Sequence, residues 1–232
     1  MMNTIKKILP LIVFFFPITA SAQDINTVLQ KARLKLETVN NYEATGRMKT
    51  NVAFLKVPVA TVKVYFKKPD KISIRSEKGI SFIPKGAVSI NLNNIIGKGK
   101  FTVIDAGTDK VNGIVVRVAK LLPEDDKNDV VLSTLYIDEA SNLIEKSKTT
   151  TRDNGTYELE MTYGKYASFG LPDKIIFSFN TKDYKLPKGV TFDFDDGSKQ
   201  AVPDKMKNRK GRAEISFSSY IINKGVSDEV FK

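Results

Sequence analysis

The sequence predicts a mainly β domain, an antiparallel sheet that is wet on one face and covered on the other by one N-terminal helix. From Asn41 onward apolar and polar residues alternate with period two, and before that point one stretch carries apolar residues at spacings of three and four. Parallel sheets are buried on both faces and read as continuous apolar runs, so this alternation argues for antiparallel strands. With 232 residues and 41% hydrophobic side chains, the chain can bury one real core.

Residues 1–22 read as a secretory signal and are excluded from the domain, which spans 23–232. Lys6 and Lys7 form a basic start, Ile8 to Ile18 an apolar stretch, and Ala20-Ser21-Ala22 the small residues before a cleavage site. The apolar segment is too short to span about 30 Å of hydrocarbon. In the helix that follows, Ile25, Val28, Leu29, Ala32, Leu36 and Val39 fall on one stripe, with Asp24 or Asn26 available to cap the first turn. Asn40-Asn41 ends the pattern.

The strands come next. Val62, Val64 and Phe66 oppose Thr61, Lys63 and Lys67; Tyr157, Leu159, Met161 and Tyr163 oppose Glu158, Glu160 and Thr162; Val190, Phe192 and Phe194 oppose Thr191, Asp193 and Asp195. Ile80 to Ile96 mixes apolar runs with Pro84, Gly86, Asn93 and Asn94, which suits a strand pair followed by an irregular or short helical crossing segment. Strand character resumes at Phe101–Asp105 and at Val111–Leu122, and Pro123 to Asp129 forms an exposed acidic loop. A meander is expected at 131–137, 143–151, 156–166 and 174–180, with turns at Asp138–Asn142 and Asn154-Gly155, followed by 189–195 and 212–222. Residues 195–212 read as a basic loop.

Composition narrows the chemistry. The chain has no His, no Cys and no Trp, which removes imidazole bases, thiolate nucleophiles, disulfides and His or Cys metal sites. The net charge of +11 is spread along the chain and suits an anionic partner, but the lysines alternate with acids and border no stacking platform for nucleic acid. Asp193-Phe194-Asp195-Asp196-Gly197 lacks the alternate ligands and closing Glu of a calcium loop. Gly97-Lys98-Gly99-Lys100 lacks the spacing of a phosphate cradle. Glu158 and Glu160 share a solvated strand face, and no Ser sits at a strand-to-helix elbow. No catalytic residue, metal or cofactor is expected. Pro69-Asp70-Lys71-Ile72 and Pro84-Lys85-Gly86 recur 103 residues later as Pro172-Asp173-Lys174-Ile175 and Pro187-Lys188-Gly189, a similarity best read as strand openings and turns.

In order, these features resemble the periplasmic outer-membrane lipoprotein carriers of the LolA type and their lipid-binding relatives. The resemblance rests on the leader and helix, Tyr65-Phe66-Lys67-Lys68-Pro69-Asp70-Lys71-Ile72, Leu135-Tyr136-Ile137-Asp138, and the passage from Tyr163 and Tyr166 to Gly170-Leu171-Pro172. It extends to the ending Ile215-Ser216-Phe217-Ser218-Ser219-Tyr220 with Asn223-Lys224-Gly225-Val226, Asp228 and Phe231. It implies a curved, incompletely closed β-barrel whose concave apolar face is covered by the N-terminal helix and a short lid. It also implies a periplasmic monomer that ferries the acyl chains of lipoproteins or lipids from an inner-membrane donor complex to an outer-membrane receptor. In that family an Arg before a Pro latches the lid; Lys68 stands at the matching position, and Gly79 to Gly86 replaces an Asp-Gly-Lys and aromatic stretch.

The apolar-face residues Val62, Val64, Phe66, Ile72, Ile74, Leu159, Met161, Phe177 and Phe192 are the candidate acyl-chain contacts, and Lys67 and Lys68 the candidate lid or head-group contacts. A non-catalytic protein-binding or sensor domain on the same fold is the alternative function, and an exported hydrolase a more distant third.

Overall fold

The computed structural model describes residues 24–51, 59–76, 100–126, 128–153, 155–180 and 210–231. Residues 1–22 read as a signal, the 80–96 segment, the expected strand at 189–195 with Phe192, and the expected loop from 195 up to residue 209 lie outside the described residues. Helix α1 spans Ile25–Glu37; Asp24 caps it by accepting from the Thr27 N–H at 3.3 Å, and Ile25, Val28 and Ala32 are its buried stripe. Ten strands follow: β1 Asn41–Asn51, β2 Ala60–Lys67, β3 Lys71–Ser76, β4 Phe101–Val111, β5 Ile114–Pro123, β6 Val130–Asp138, β7 Leu143–Thr151, β8 Gly155–Thr162, β9 Lys174–Asn180 and β10 Lys210–Ile222. They form one antiparallel sheet in the order β3-β2-β1-β10-β9-β8-β7-β6-β5-β4, in which β3 and β4 do not pair with each other. The sheet is mainly β, antiparallel and unclosed, as the alternation and the resemblance imply.

β1 is not among the expected strands; most other boundaries follow the sequence expectation, with three differences. The 156–166 strand stops at Thr162, because Tyr163 to Gly170 turns through a short 3-10 segment, Ala167–Phe169, to reach β9. There Gly170 has φ +67°, and a Cβ on it would stand 3.1 Å from Leu36 Cδ2, so the backbone lies directly against α1. The last strand begins at Lys210, two residues before the expected start. The third difference is β4, which continues through Lys110 and turns at Asn112-Gly113, with φ +50° and +85°, into β5. Both residues hold the left-handed conformation that a tight hairpin of matching twist requires. A bulge interrupts β4 between Asp105 and Thr108, with the Gly107 N–H donating to Asp105 Oδ1 at 2.9 Å, and this breaks the expected alternation.

The first and last strands are neighbours, and their seam is heavily bonded. A register shift opposite Thr45/Gly46 leaves Ser218 as the extra residue, and its hydroxyl donates to the Thr45 carbonyl at 3.1 Å. Tyr220 is buried among Tyr42, Tyr166 and Phe217, and its hydroxyl donates to the Pro172 carbonyl at 2.7 Å. Asn223 Oδ1 accepts from the Asn40 N–H at 2.7 Å while its amide donates to the Thr38 carbonyl at 3.0 Å, tying the end of β10 to the helix–strand junction. Asp228, in a final 3-10 turn at Asp228–Phe231, receives Lys67 at 2.9 Å and Lys71 at 2.7 Å.

Tyr220→Phe keeps the ring packing but strands the Pro172 carbonyl. Urea unfolding is expected to show a loss of about 1–2 kcal/mol, and an unchanged midpoint would mean that the carbonyl is satisfied another way.

Candidate functional site

The strand registers assemble the concave face row by row. One row runs Asp105, Ala119, Leu135, Ser147, Leu159, Phe177, Ala213, Thr50 across eight strands from β4 to β1, and all but Asp105 are buried. The next runs Val103, Leu121, Ser133, Thr149, Tyr157, Phe179, Gly211. On the other side Met161, Ile175, Ile215 and Met48 form a row that leads towards β2. Beyond it Val64 pairs with Ile74 and Phe66 with Ile72, alongside Ala44 and Tyr42 of β1. The result is one continuous apolar floor holding two packed clusters, one beneath α1 and one on β1, β2 and β10.

Of the residues read from the sequence, Leu159, Met161 and Phe177 lie in the cluster beneath α1. Val62, Val64 and Phe66 lie in the second, with Ile72 and Ile74 at its half-exposed margin. Lys68 does not face the floor: its Nζ donates to the Glu37 carbonyl at 2.6 Å and to Asn40 Oδ1 at 3.3 Å, capping the end of α1. Lys67 points to Asp228 instead.

Polar groups hold α1 at one end. Lys35 Nζ donates to the Ser141 carbonyl at 2.6 Å in the β6–β7 turn, and Lys68 and Asn223 bind the last carbonyls of the helix and its exit. Among the described residues, Ile25, Val28 and Leu29 of the first turns of α1 belong to the cluster that also includes Phe101, Val103 and Leu121, and the helix touches β4 to β7. The crevice between Ala32, Lys35 and Leu36 on the helix and Leu143, Ile144 and Tyr163 leaves no room for a water molecule.

Several features had no signal in the sequence reading. The inward hydroxyls of Ser133 and Thr149 pair at 3.0 Å, while the fully buried Ser147 Oγ and the Thr50 Oγ1 have no partner among the described residues. Small hydroxyl residues look like a wet face in an alternation pattern; only the register turns them inward. At the β4 rim Asp105 forms an ion pair with Arg117, and its carboxyl is held below the usual range first by the Gly107 N–H and then by Arg117. Glu145 sits at a register shift in β7 and is 6% exposed. Burial, and then the Asp138 carboxylate, push its carboxyl up. Among the described residues, no group of three or more carboxylates is placed to hold a metal, and no helix is long and apolar enough to cross a membrane.

Solved structures share this fold along most of its length. A LolA superfamily protein from Nitrosomonas europaea superposes with a TM-score of 0.54 at 10% identity, covering 91% of this chain and 98% of that one. The chain has a LolA-like fold. A domain named for outer membrane lipoprotein sorting from Vibrio parahaemolyticus superposes with a TM-score of 0.56 at 11% identity, covering 89% of this chain and 95% of that one. A DUF1329 family protein from Desulfovibrio piger gives 0.53 at 13% identity, covering 90% and 97%. No family model matches the chain, and no curated protein does. The LolA-like fold thus accounts for the order of motifs seen in the sequence: Tyr166, Gly170, Leu171, Pro172, Tyr220 and Asn223 close the seam between the sheet and α1.

Because Glu145 has a raised pKa in the folded chain, its contribution to stability is present below the ordinary carboxylate pKa and is lost as pH rises through the folded value. Glu145→Gln is therefore expected to raise Tm at pH 7 and to leave it nearly unchanged at pH 4, as read by thermal melts across that range. A lower Tm at pH 7 would contradict this.

Proposed function

We propose that the protein is a periplasmic carrier that holds the acyl chains of a lipoprotein or lipid between α1 and the concave floor and takes them toward the outer membrane. The single observation behind this reading is the continuous apolar floor under a helix that polar contacts hold at one end only, among the described residues. Lifting the first turns of α1 exposes Leu159, Phe177 and their row, and an acyl chain lying there gains about 0.8 kcal/mol per buried methylene. Release needs no chemistry, only the return of the helix to the floor. Val62, Val64, Phe66, Ile72 and Ile74 extend the surface for a second or longer chain. The neighbour from Vibrio parahaemolyticus is named for lipoprotein sorting, which favours lipoprotein as the cargo class. Donor and receiver would be an inner-membrane complex and an outer-membrane receptor.

One observation favours a second reading. The crevice under Ala32 and Leu36 is closed to water, as expected of a domain whose core is filled by its own side chains and which binds a protein partner instead.

Native mass spectrometry of the protein purified without detergent separates the two. A bound mass of acyl-chain size, with lipid released on denaturation, is expected of the carrier; a bare mass with no uptake of a fluorescent fatty acid would overturn it in favour of the protein-binding domain. Lys68→Met, which uncaps α1, is expected to speed fatty-acid exchange roughly fivefold, the kinetic equivalent of about 1 kcal/mol.

A further inference from the structure

The convex face carries a trough that the carrier reading does not use. It has a volume of about 420 Å³ and crosses β4 to β7, with Val118, Leu132 and Tyr136 among its apolar walls and Thr134 near its centre. Three register shifts surround it, at Asp105/Thr108, Val130/Leu132 and Tyr136/Ile137. Each bends its strand and adds twist, which dishes a face that would otherwise be convex. That curvature explains why outward-facing Val118 and Thr134 are 7% and 8% exposed.

The charge pattern across the trough is set by register. Lys120 pairs with Thr134, and Thr134 with Lys148, so two lysines on alternate strands flank one threonine. Two inter-strand spacings, about 10 Å, separate their backbones, which lets both ammonium groups converge over the Thr134 hydroxyl. Thr134 makes no side-chain hydrogen bond, and Lys120 no ion pair, among the described residues. Lys148 lies 3.9 Å from Glu158, which already holds Lys146 at 3.3 Å, so turning Lys148 inward leaves that carboxylate paired. Lys146 in turn stands 5.7 Å above the Tyr136 ring. Asp109 lines the β4 end, with one carboxylate oxygen accepting from the Lys110 N–H at 2.7 Å.

We propose that this trough binds a phosphate group, with Lys120 and Lys148 supplying the charge, Thr134 a hydroxyl donor, and the Val118–Tyr136 side an apolar seat for the body that bears the phosphate. The shared chemistry fits a free phosphate and a phospholipid head group alike. The site is independent of the acyl-chain floor, because strand alternation puts the two on opposite faces of the same strands.

Amide chemical shifts of the ¹⁵N-labelled full chain test the assignment, with inorganic phosphate and monomeric dihexanoylphosphatidic acid titrated separately. Saturable shifts at 118–120, 132–136 and 148–150 are expected with at least one of them. Response to inorganic phosphate identifies a free-phosphate site, and response to the lipid alone identifies a head-group site. Shifts of Leu159 and Phe177 would report acyl binding on the other face and leave the assignment to be read from the trough amides. The double variant Lys120→Gln/Lys148→Gln is expected to weaken binding at least tenfold, while Lys174→Gln, on the outward face of β9, leaves it unchanged. Silent trough amides with both ligands, or equal affinity in the double variant, would overturn the proposal.

Discussion

The sheet holds together across a single antiparallel seam between its first and last strands, β1 and β10, and that pairing decides whether there is a concave floor at all. On one side lie β2 and β3; on the other, the meander from β9 back to β4. If the seam opened, Met48 would part from Ile215 and the apolar face would divide into two smaller patches. The side-chain bonds gather here accordingly: Ser218 fills a bulge, Tyr220 reaches Pro172, and Asn223 reaches back to residues 38 to 41. These bonds satisfy backbone groups at the point where the helix exit, the first strand and the last strand meet; the Tyr220–Pro172 bond is the buried one among them.

The asymmetry of α1 follows from the same junction. Its last turn is met by Lys68 and Gly170, and its own Lys35 reaches the Ser141 carbonyl in the β6–β7 turn. Its first turns contribute Ile25, Val28 and Leu29 to the apolar cluster, where contacts are non-directional. The floor beneath it is also not a conventional core, since Ser133, Ser147 and Thr149 occupy its middle. Hydroxyls there cost stability compared with valine or alanine, which is acceptable in a face that meets more than one neighbour but wasteful in one that is permanently closed.

Much of this was legible in the sequence. The helix stripe, its Asp24 cap, and the strands from 143 to 151 and 174 to 180 were fixed by periodicity that burial then respects. The apolar candidates Val62, Val64, Phe66, Leu159, Met161 and Phe177 all lie on the floor for the same reason: alternation specifies a face. It does not specify which strands are neighbours. That Leu159 and Phe177 share a row depends on register, and that Lys68 turns to the helix end depends on the packing of the Pro69-Asp70 turn against α1's exit, neither of which alternation encodes. The β4–β5 hairpin was missed although Asn112-Gly113 is a strong turn signal, because the bulge at Asp105 shifts the alternation just before it. β1 was muted for another reason. Its inward residues are Tyr42, Ala44, Gly46, Met48 and Thr50, and small side chains give a weak apolar signal even when buried.

The strand order also has a temporal meaning. From β4 to β9 every pairing joins consecutive strands, so this part of the sheet can form hairpin by hairpin with short loops to close. β1 meets β10 across a separation such as Tyr42 to Ile222, nearly the length of the folded chain. The loop-closure entropy of that one contact is incurred last, when the meander already offers β10 as a template. The N-terminal strands and the helix exit are therefore the late arrivals in assembly although they are made first, and the chain stays unsealed until its final strand is in place.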